Sequence, residues 1–295
     1  MTTGVTTNTF SERSYLTVAE YKNAPTAIDI DNLVVNGNAQ AQDTELASNI
    51  LRASSYMDEY LNQNLVASQV TETQRVRMNS EGYISLHPFN NPIIALESFE
   101  YGQNPNSLYA LSDCSTAWFE NQQVIIPLSQ LLSTFTSQGP LQFGIPPMGN
   151  RIFVKYTYVA GFVNTTLASN ATIGNTTITV TSGKGIVAGQ MLRITDTLSS
   201  EIVYVASTYT YGSTTVPLTS AIVSAHLAGV AIGNLPNALK EACILITTAF
   251  LKQRGDTSLS MGISSRPSGS VQGGDLYGTQ IKLALDMVDK YRRIR

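Results

Sequence analysis

Charge is scarce in this chain. Asp, Glu, Lys and Arg supply 13% of its 295 residues, about half the share usual in globular proteins. Its polarity comes instead from Ser, Thr, Asn and Gln, which suit strand surfaces and subunit contacts better than isolated helices. A formal charge of −3 gives no reason to expect nucleic-acid binding by the chain as a whole. Cysteine is nearly absent: Cys114 and Cys243 make no disulfide framework and show no metal-type spacing. Histidine is limited to His87 and His226, which fall in different expected domains, so a His-based triad would need a site spanning both. No run approaches the ~20 apolar residues of a membrane span. Met1-Thr2-Thr3-Gly4-Val5 is no basic region followed by an apolar stretch, so no signal peptide is expected and synthesis and first residence in a cytoplasm follow. The Asn-x-Thr triplets at Asn164, Asn170 and Asn175 then read as accidents of a Thr-rich segment.

Against these absences stands a clear order of patterns. Residues 1 to 14 are polar and aperiodic and read as a tail. Thr17 and Glu20 form a capping box, with Leu16 and Tyr21 as a hydrophobic staple, for a short helix that stops by Pro25. A long loop is expected from Ala24 to Gln42, where Asp29, Asp31, Asn32, Asn36, Gly37 and Asn38 cluster. Asp43 then offers an N-cap to a helix whose Leu46, Ile50, Ala53, Met57 and Leu61 recur at helical gaps as one apolar stripe. From Val70 to Phe162 short β-branched and aromatic runs, broken by Gly, Pro and Asn, predict a modest sheet with long loops.

Tyr156-Thr157-Tyr158-Val159-Ala160-Gly161-Phe162 ends a strand, and the helix Leu235-Pro236-Asn237-Ala238-Leu239-Lys240-Glu241-Ala242-Cys243 looks like its continuation. The block between them is rich in Thr, Ser, Val and Gly and poor in helix formers. Its short strands at Thr176–Val180, Met191–Ile194, Ile202–Val205, Thr215–Leu218 and Val230–Ile232 predict a small barrel or sandwich, with Pro217 on an edge or at a bulge. The expectation is a split core of residues 1–163 and 234–295 with an inserted β domain, residues 164–233, at a strand-to-helix loop. The helix from Pro236 to Arg254 is apolar nearly all round, so it is central to its domain or shared with another subunit, and Cys243 within it should be buried. A Gly/Ser-rich loop from Ser258 to Gly278 precedes a last helix carrying Ile281, Leu285 and Val288 on one face. Lys290, Arg292, Arg293 and Arg295 close the chain and leave a net −7 elsewhere out of the total of −3.

No catalytic constellation emerges. Gly183-Lys184-Gly185 lacks the leading Gly and the Ser/Thr of a phosphate loop, since Ile178 and Gly185 stand there, and reads as a hairpin turn. Asp58-Glu59 and Asp29/Asp31 read as solvated carboxylates, both histidines as structural, and Trp118-Phe119 as core packing, although exposed aromatics also suit protein interfaces. The C-terminal basic cluster complements a helix dipole or meets an acidic partner surface or DNA phosphates.

Four motifs in order carry a family resemblance: Ala53-Ser54-Ser55-Tyr56-Met57-Asp58-Glu59-Tyr60-Leu61, then Asn91-Pro92-Ile93-Ile94-Ala95-Leu96, then Val154 to Phe162, then Leu235 to Ala242. Over residues 15–162 and 234–295 the chain resembles the head-tail connector (adaptor, or head-completion) proteins of tailed bacteriophages. In that family the Tyr-x-x-x-Gly strand runs almost directly into the Leu-Pro helix, and this chain departs by carrying the insert. Within the insert, Ala188 to Ile194 and Ala225 to Val230 resemble small β modules of phage structural proteins.

The resemblance implies an α+β fold with a helical connector core and a small antiparallel sheet, plus the inserted all-β barrel or sandwich. It implies a virion neck protein, made in the host cytoplasm, whose copies form a ring, usually a dodecamer, beneath the portal at the DNA exit vertex. The portal and a downstream neck, stopper or tail-terminator protein are the implied partners, with genomic DNA in the channel and no membrane, enzyme activity, metal or cofactor. Its C-terminal segment often reaches the portal, which makes Ile281, Leu285, Val288, Lys290, Arg292, Arg293 and Arg295 the candidate portal-binding or DNA-proximal residues. The rival reading is a carbohydrate-binding or adhesin-type module with Tyr204, Tyr209 and Tyr211 of the insert as its platform; a hydrolase is the weaker rival, lacking a constellation.

Overall fold

The computed structural model describes residues 14–26, 28, 30, 31, 33–77, 83–111, 113–127, 151–196, 199–255 and 273–293. The chain forms two compact units, one of Met1–Thr9 and Ala67–Gly161 and the other of Phe10–Val66 and Phe162–Arg295. The expected tail, Asp29, Asn32, most of the loop after Ser258, and Arg295 lie outside the described residues.

In the first unit, β1 (Ser68–Arg77), β7 (Arg151–Ala160), β3 (Ile93–Asn104) and β4 (Ser107–Ala110) form one antiparallel sheet in that order. A second sheet orders β2 (Tyr83–Leu86), β6 (Gln123–Pro127) and β5 (Trp118–Glu120). The inward residues of both, among them Ile84, Leu86, Phe99, Val124, Ile126 and Val154, make one apolar cluster. Alternation along β1 buries Glu72 and exposes Thr73, Arg75 and Arg77. The buried carboxylate is fully engaged: it accepts from Phe89 N at 2.8 Å, from the Tyr156 hydroxyl at 2.9 Å and from the Tyr158 hydroxyl, as a buried charge requires.

The second unit holds every helix among the described residues. Thr17 caps α1 (Val18–Asn23) through the expected capping box with Glu20. Helix α2 (Ala39–Leu61) begins earlier than expected: Asn38, not Asp43, is its N-cap and accepts from Ala41 N at 2.9 Å. The predicted stripe from Leu46 to Leu61 is buried throughout. It packs on Leu239, Ala242, Cys243 and Ile246 of α3 (Asn237–Gly255) and on Ala284 and Val288 of α4 (Gly273–Val288). Helix α4 starts inside the stretch expected to be loop, and a 3-10 turn, Asp289–Tyr291, follows it.

Residues 164–233 carry an apolar core of their own, including Ile178, Leu192, Ile194, Val203 and Val216. One sheet orders β11 (Glu201–Tyr204), β10 (Met191–Thr195), β13 (Ala231–Gly233) and β8 (Asn164–Thr166); the other pairs β12 (Thr215–Pro217) with β9 (Thr177–Thr179). Pro217 pairs with Thr177 on a strand with one named neighbour, the edge placement proline requires. At Gly183 a Cβ would lie 2.1 Å from the Ser213 carbonyl oxygen, so close backbone approach demands glycine in the Gly183-Lys184-Gly185 turn.

This architecture corrects the expected fold class. The chain is mostly β, with four small antiparallel sheets and few helices, and neither a helical connector core nor a closed barrel is present among the described residues. Two physical reasons account for the difference. The helices supply one of three apolar clusters instead of organising the chain, because the sheets run beyond the short apolar runs of the sequence: β3 continues past Ile93–Leu96 to Asn104, and β4 pairs with it. In the insert, strands of three to five residues are separated by turns with positive-φ glycines at 174, 185, 189, 212 and 229, too short and too interrupted to close on themselves.

Candidate functional site

The end of α4 and the residues after it are built onto the C-terminus of α2. Val288 and Ala284 are wholly buried and Leu285 is half-buried against the same cluster, so this stripe is spent largely on the chain's own core; Ile281 is half-buried and Leu283, beside it, is exposed. Beyond Val288, Arg293 N donates to Leu61 O at 3.0 Å and Gln63 Nε2 donates to Tyr291 O at 2.6 Å. The first of these satisfies a carbonyl that a helix end leaves open. Tyr60 Oη donates to Asp289 Oδ1 at 2.8 Å, a bond that raises the phenol above its ordinary range. The Arg292 guanidinium lies 4.9 Å from the Tyr60 ring centroid and 3.9 Å from the Asp289 carboxylate, and Lys290 Nζ lies 4.9 Å from the Tyr291 ring.

Lys290, Arg292 and Arg293 thus surround the negative end of the α2 dipole, with Lys290 and Arg292 still exposed. Asp286 and Asp289 sit among them, so the local excess of positive charge is small. The structure therefore brings Lys290, Arg292 and Arg293 together, turns Val288 of the apolar half of the predicted site inward, and leaves Arg295 outside the described residues.

Beneath this end the chain's N-terminal arm is bolted between α2 and α3. Tyr15 N donates to Ser54 Oγ at 3.0 Å, Leu65 N donates to Tyr15 Oη at 3.3 Å, and the Tyr15 hydroxyl donates to Asp58 Oδ1. Glu20 accepts from Lys240 Nζ at 2.5 Å, and the hydroxyls of Tyr21 and Thr248 lie 3.0 Å apart. Asp58, read from sequence as solvated, is buried. Burial pushes its carboxyl up to about 7, against the lowering effect of the Tyr15 hydrogen bond. Burial likewise pushes the Cys243 thiol up to about 12, which keeps it protonated and inert as a nucleophile.

The remaining candidates do not assemble a reaction centre. His87 is held through its backbone by Gln74, while His226, wholly buried in the insert, places Nδ1 3.0 Å from Asp196 and Nε2 2.9 Å from Glu201. The carboxylates flank opposite edges of the ring, so the three groups tie two turns together and cannot share one ion. Tyr204 and Tyr211 are 48% and 39% exposed, but Tyr209 is 8% exposed and donates to Ser213 O at 2.7 Å, so the three do not form a sugar-stacking platform. Trp118 and Phe119, expected in the core, are 39% and 44% exposed on the edge strand β5. An open groove of about 740 Å³ runs along α2, lined by Asn49, Arg52, Tyr56, Glu59 and Phe250 among others.

Two groupings escaped the sequence. Tyr15 and Asp58 are 43 residues apart, and only the burial of both brings them into contact. Arg75, Arg77, Arg151 and Lys155 share the outer face of one sheet; their odd-numbered alternation along two strands was the available signal.

No family model matches the chain, and no curated protein matches it. Among solved structures it is similar to a chain from the neck of an empty GTA particle computed with C6 symmetry, at 12% identity and a TM-score of 0.37, covering 96% of this chain and 95% of that one. It is also similar to a chain from the virion of a native gene transfer agent particle, at 12% identity and a TM-score of 0.36, with the same coverage. At such identity and TM-score neither likeness fixes the role of this chain.

Proposed function

We propose that this chain is a structural protein of a virion neck, a head-tail connector or adaptor that forms a ring under the portal and links capsid to tail. The observation that carries the reading is the closed seam at the insert. Val163 N donates to Asn234 Oδ1 at 2.7 Å, Asn234 N donates to Val163 O at 3.0 Å, and β8 pairs with β13 from Asn164↔Gly233. The two ends of residues 164–233 are therefore hydrogen-bonded neighbours, so that Phe162 and Leu235 follow each other in space as the corresponding positions do in the uninterrupted sequence of the resembled family. A protonated buried thiol, two histidines in structural contacts and exposed aromatics on β5 suit a protein that works by contact with other proteins.

The portal stands on one side of such a ring and a stopper or tail terminator on the other, with genomic DNA passing through. Lys290, Arg292 and the half-buried Ile281 and Leu285 are the residues offered to the portal, with Arg293 and Arg295 completing the charge. Electron microscopy and mass photometry of the purified protein, alone and with a portal, test this directly. Rings that join portals are expected. A chain that stays monomeric in both conditions, particularly one that binds a glycan array, would refute the neck reading and favour the adhesin-type one.

A further inference from the structure

In the first unit, β1 and β7 are adjacent antiparallel strands in the register Arg77↔Arg151, Arg75↔Phe153 and Thr73↔Lys155. Arg75, Arg77, Arg151 and Lys155 are all exposed, on the face opposite the buried Glu72. Directly opposed residues lie roughly 5 Å apart at Cβ, and alternate residues of a strand about 6.7 Å apart, so four cations occupy one small area of a chain whose net charge is −3. Arg77 opposite Arg151 is a like-charge pair, which costs stability in an isolated sheet. Lys155 has Glu100 at 3.6 Å, and Arg75 lies 5.3 Å over the Phe153 ring. Among the described residues neither Arg77 nor Arg151 has an ion-pair partner.

The chemistry of the face selects its ligand. Its other outward residues are Thr71, Thr73, Thr157, Ser98 and Gln69, with Glu100 opposite Lys155 and Glu97 accepting from Gln69 at the end of the sheet away from Arg77, and it carries none of the exposed large hydrophobic side chains of the protein. Protein interfaces have apolar and aromatic centres, whereas nucleic-acid interfaces are polar and strongly positive. Guanidinium forks match phosphate oxygens in paired hydrogen bonds. Single strands call for open aromatic stacking platforms, and the one ring here, Phe153, is half-buried and covered by Arg75.

We infer that the β1–β7 face, through Arg75, Arg77 and Arg151 with Lys155 at its border, binds the phosphate backbone of duplex DNA without reading its sequence. The neck reading names DNA only as cargo of the channel; this face is a separate binding site on the chain, and a failure of ring formation would leave its measurement intact.

The test is fluorescence anisotropy of a short labelled DNA duplex with the full chain across a salt titration. If about three phosphates are neutralised, affinity should fall about 40-fold between about 50 and 200 mM salt. Arg75→Gln/Arg77→Gln/Arg151→Gln should lose at least about tenfold in affinity at the lower salt and flatten the salt slope to near zero, three phosphate contacts being removed. The single variant Arg77→Glu, at an exposed position, provides the same readout if the triple variant fails to fold, as judged by Trp118 fluorescence. Lys290→Ser/Arg292→Ser/Arg293→Ser should bind as the unaltered chain does. DNA binding that is absent, is unaffected by Arg77→Glu, or is abolished by the C-terminal variant alone would overturn the inference. So would capture of poly-glutamate but not DNA, which would make the partner an acidic protein.

Discussion

Replacing Asp58 by Asn isolates the cost of a buried acid without emptying its site. The Asn carbonyl still accepts the Tyr15 hydroxyl, but the group no longer ionises. In the unaltered chain the carboxyl rises from 3.8 to about 7, burial being the cause. At about 1.4 kcal/mol per decade of proton affinity this corresponds to about 4 kcal/mol between the two extremes of pH. The sign follows from proton counting. A folded-state pKa above the unfolded one means that the folded chain holds more protons between the two values. The stabilisation is therefore complete below about pH 4 and is lost as pH rises through about 7. The expected result is that the stability of Asp58→Asn relative to the unaltered chain increases by about 4 kcal/mol from pH 4 to pH 8, whatever other carboxylates do to both proteins. Urea unfolding followed by circular dichroism at the helix band reports on the second unit, which holds all the described helices, while the fluorescence of Trp118, the only tryptophan, reports on the first. Parallel stability curves for the two proteins over that range would refute the buried-acid account, as would a difference of the opposite slope.

Three further outcomes are expected. Ile246→Ala, at a fully buried position of α3, should cost roughly 2 to 5 kcal/mol in the same unfolding assay; a negligible change would show that this face is not packed in the subunit. Replacing residues 164–233 by a short Gly/Ser linker should leave the helical cluster cooperatively folded, because its ends are hydrogen-bonded neighbours, and loss of the helix-band transition along with the insert would count against an autonomous module. Changing Lys290, Arg292, Arg293 and Arg295 to Ser should weaken portal attachment most at low salt with helix content unchanged; attachment that is normal across the salt range would leave the cluster as a helix-end complement.

The elements that sequence patterning revealed are those whose signal is local. The α2 stripe from Leu46 to Leu61 needs only helical spacing, and the insert strands need only β-branched residues between glycine turns, so both were legible. The start of α2 was not, since Asn38 and Asp43 are equally good caps and Ala39 to Gln42 accept a helix without demanding one. Asp58 was misread because its neighbour Glu59 is exposed: one step along a helix turns a side chain by 100°, and the partner that holds Asp58 lies far back in sequence. The basic face depends on the register of β1 with β7, and no periodicity within either strand announces which strand will be its neighbour. The fold class failed for a related reason. Helices are conspicuous in a sequence, whereas the length of a strand such as β3 is decided by what pairs with it.

The seam at the insert also bears on the order of folding. Val163 and Asn234 are 71 residues apart, and joining the ends of a flexible loop of that length costs about 4 kcal/mol in chain entropy. Inside the insert the pairings run between strands much closer in sequence, such as β10 with β11, and can form without waiting for that closure. Once formed, they carry Phe162 and Leu235 to each other's side. The insert then acts as a splint: closing it takes 71 residues out of the chain path between α2 and α3, which shortens the search by which the two helices meet. A chain with a slackened insert could reach the same native state and yet reach it late, with the buried apolar residues of α3 exposed to aggregation in the interval.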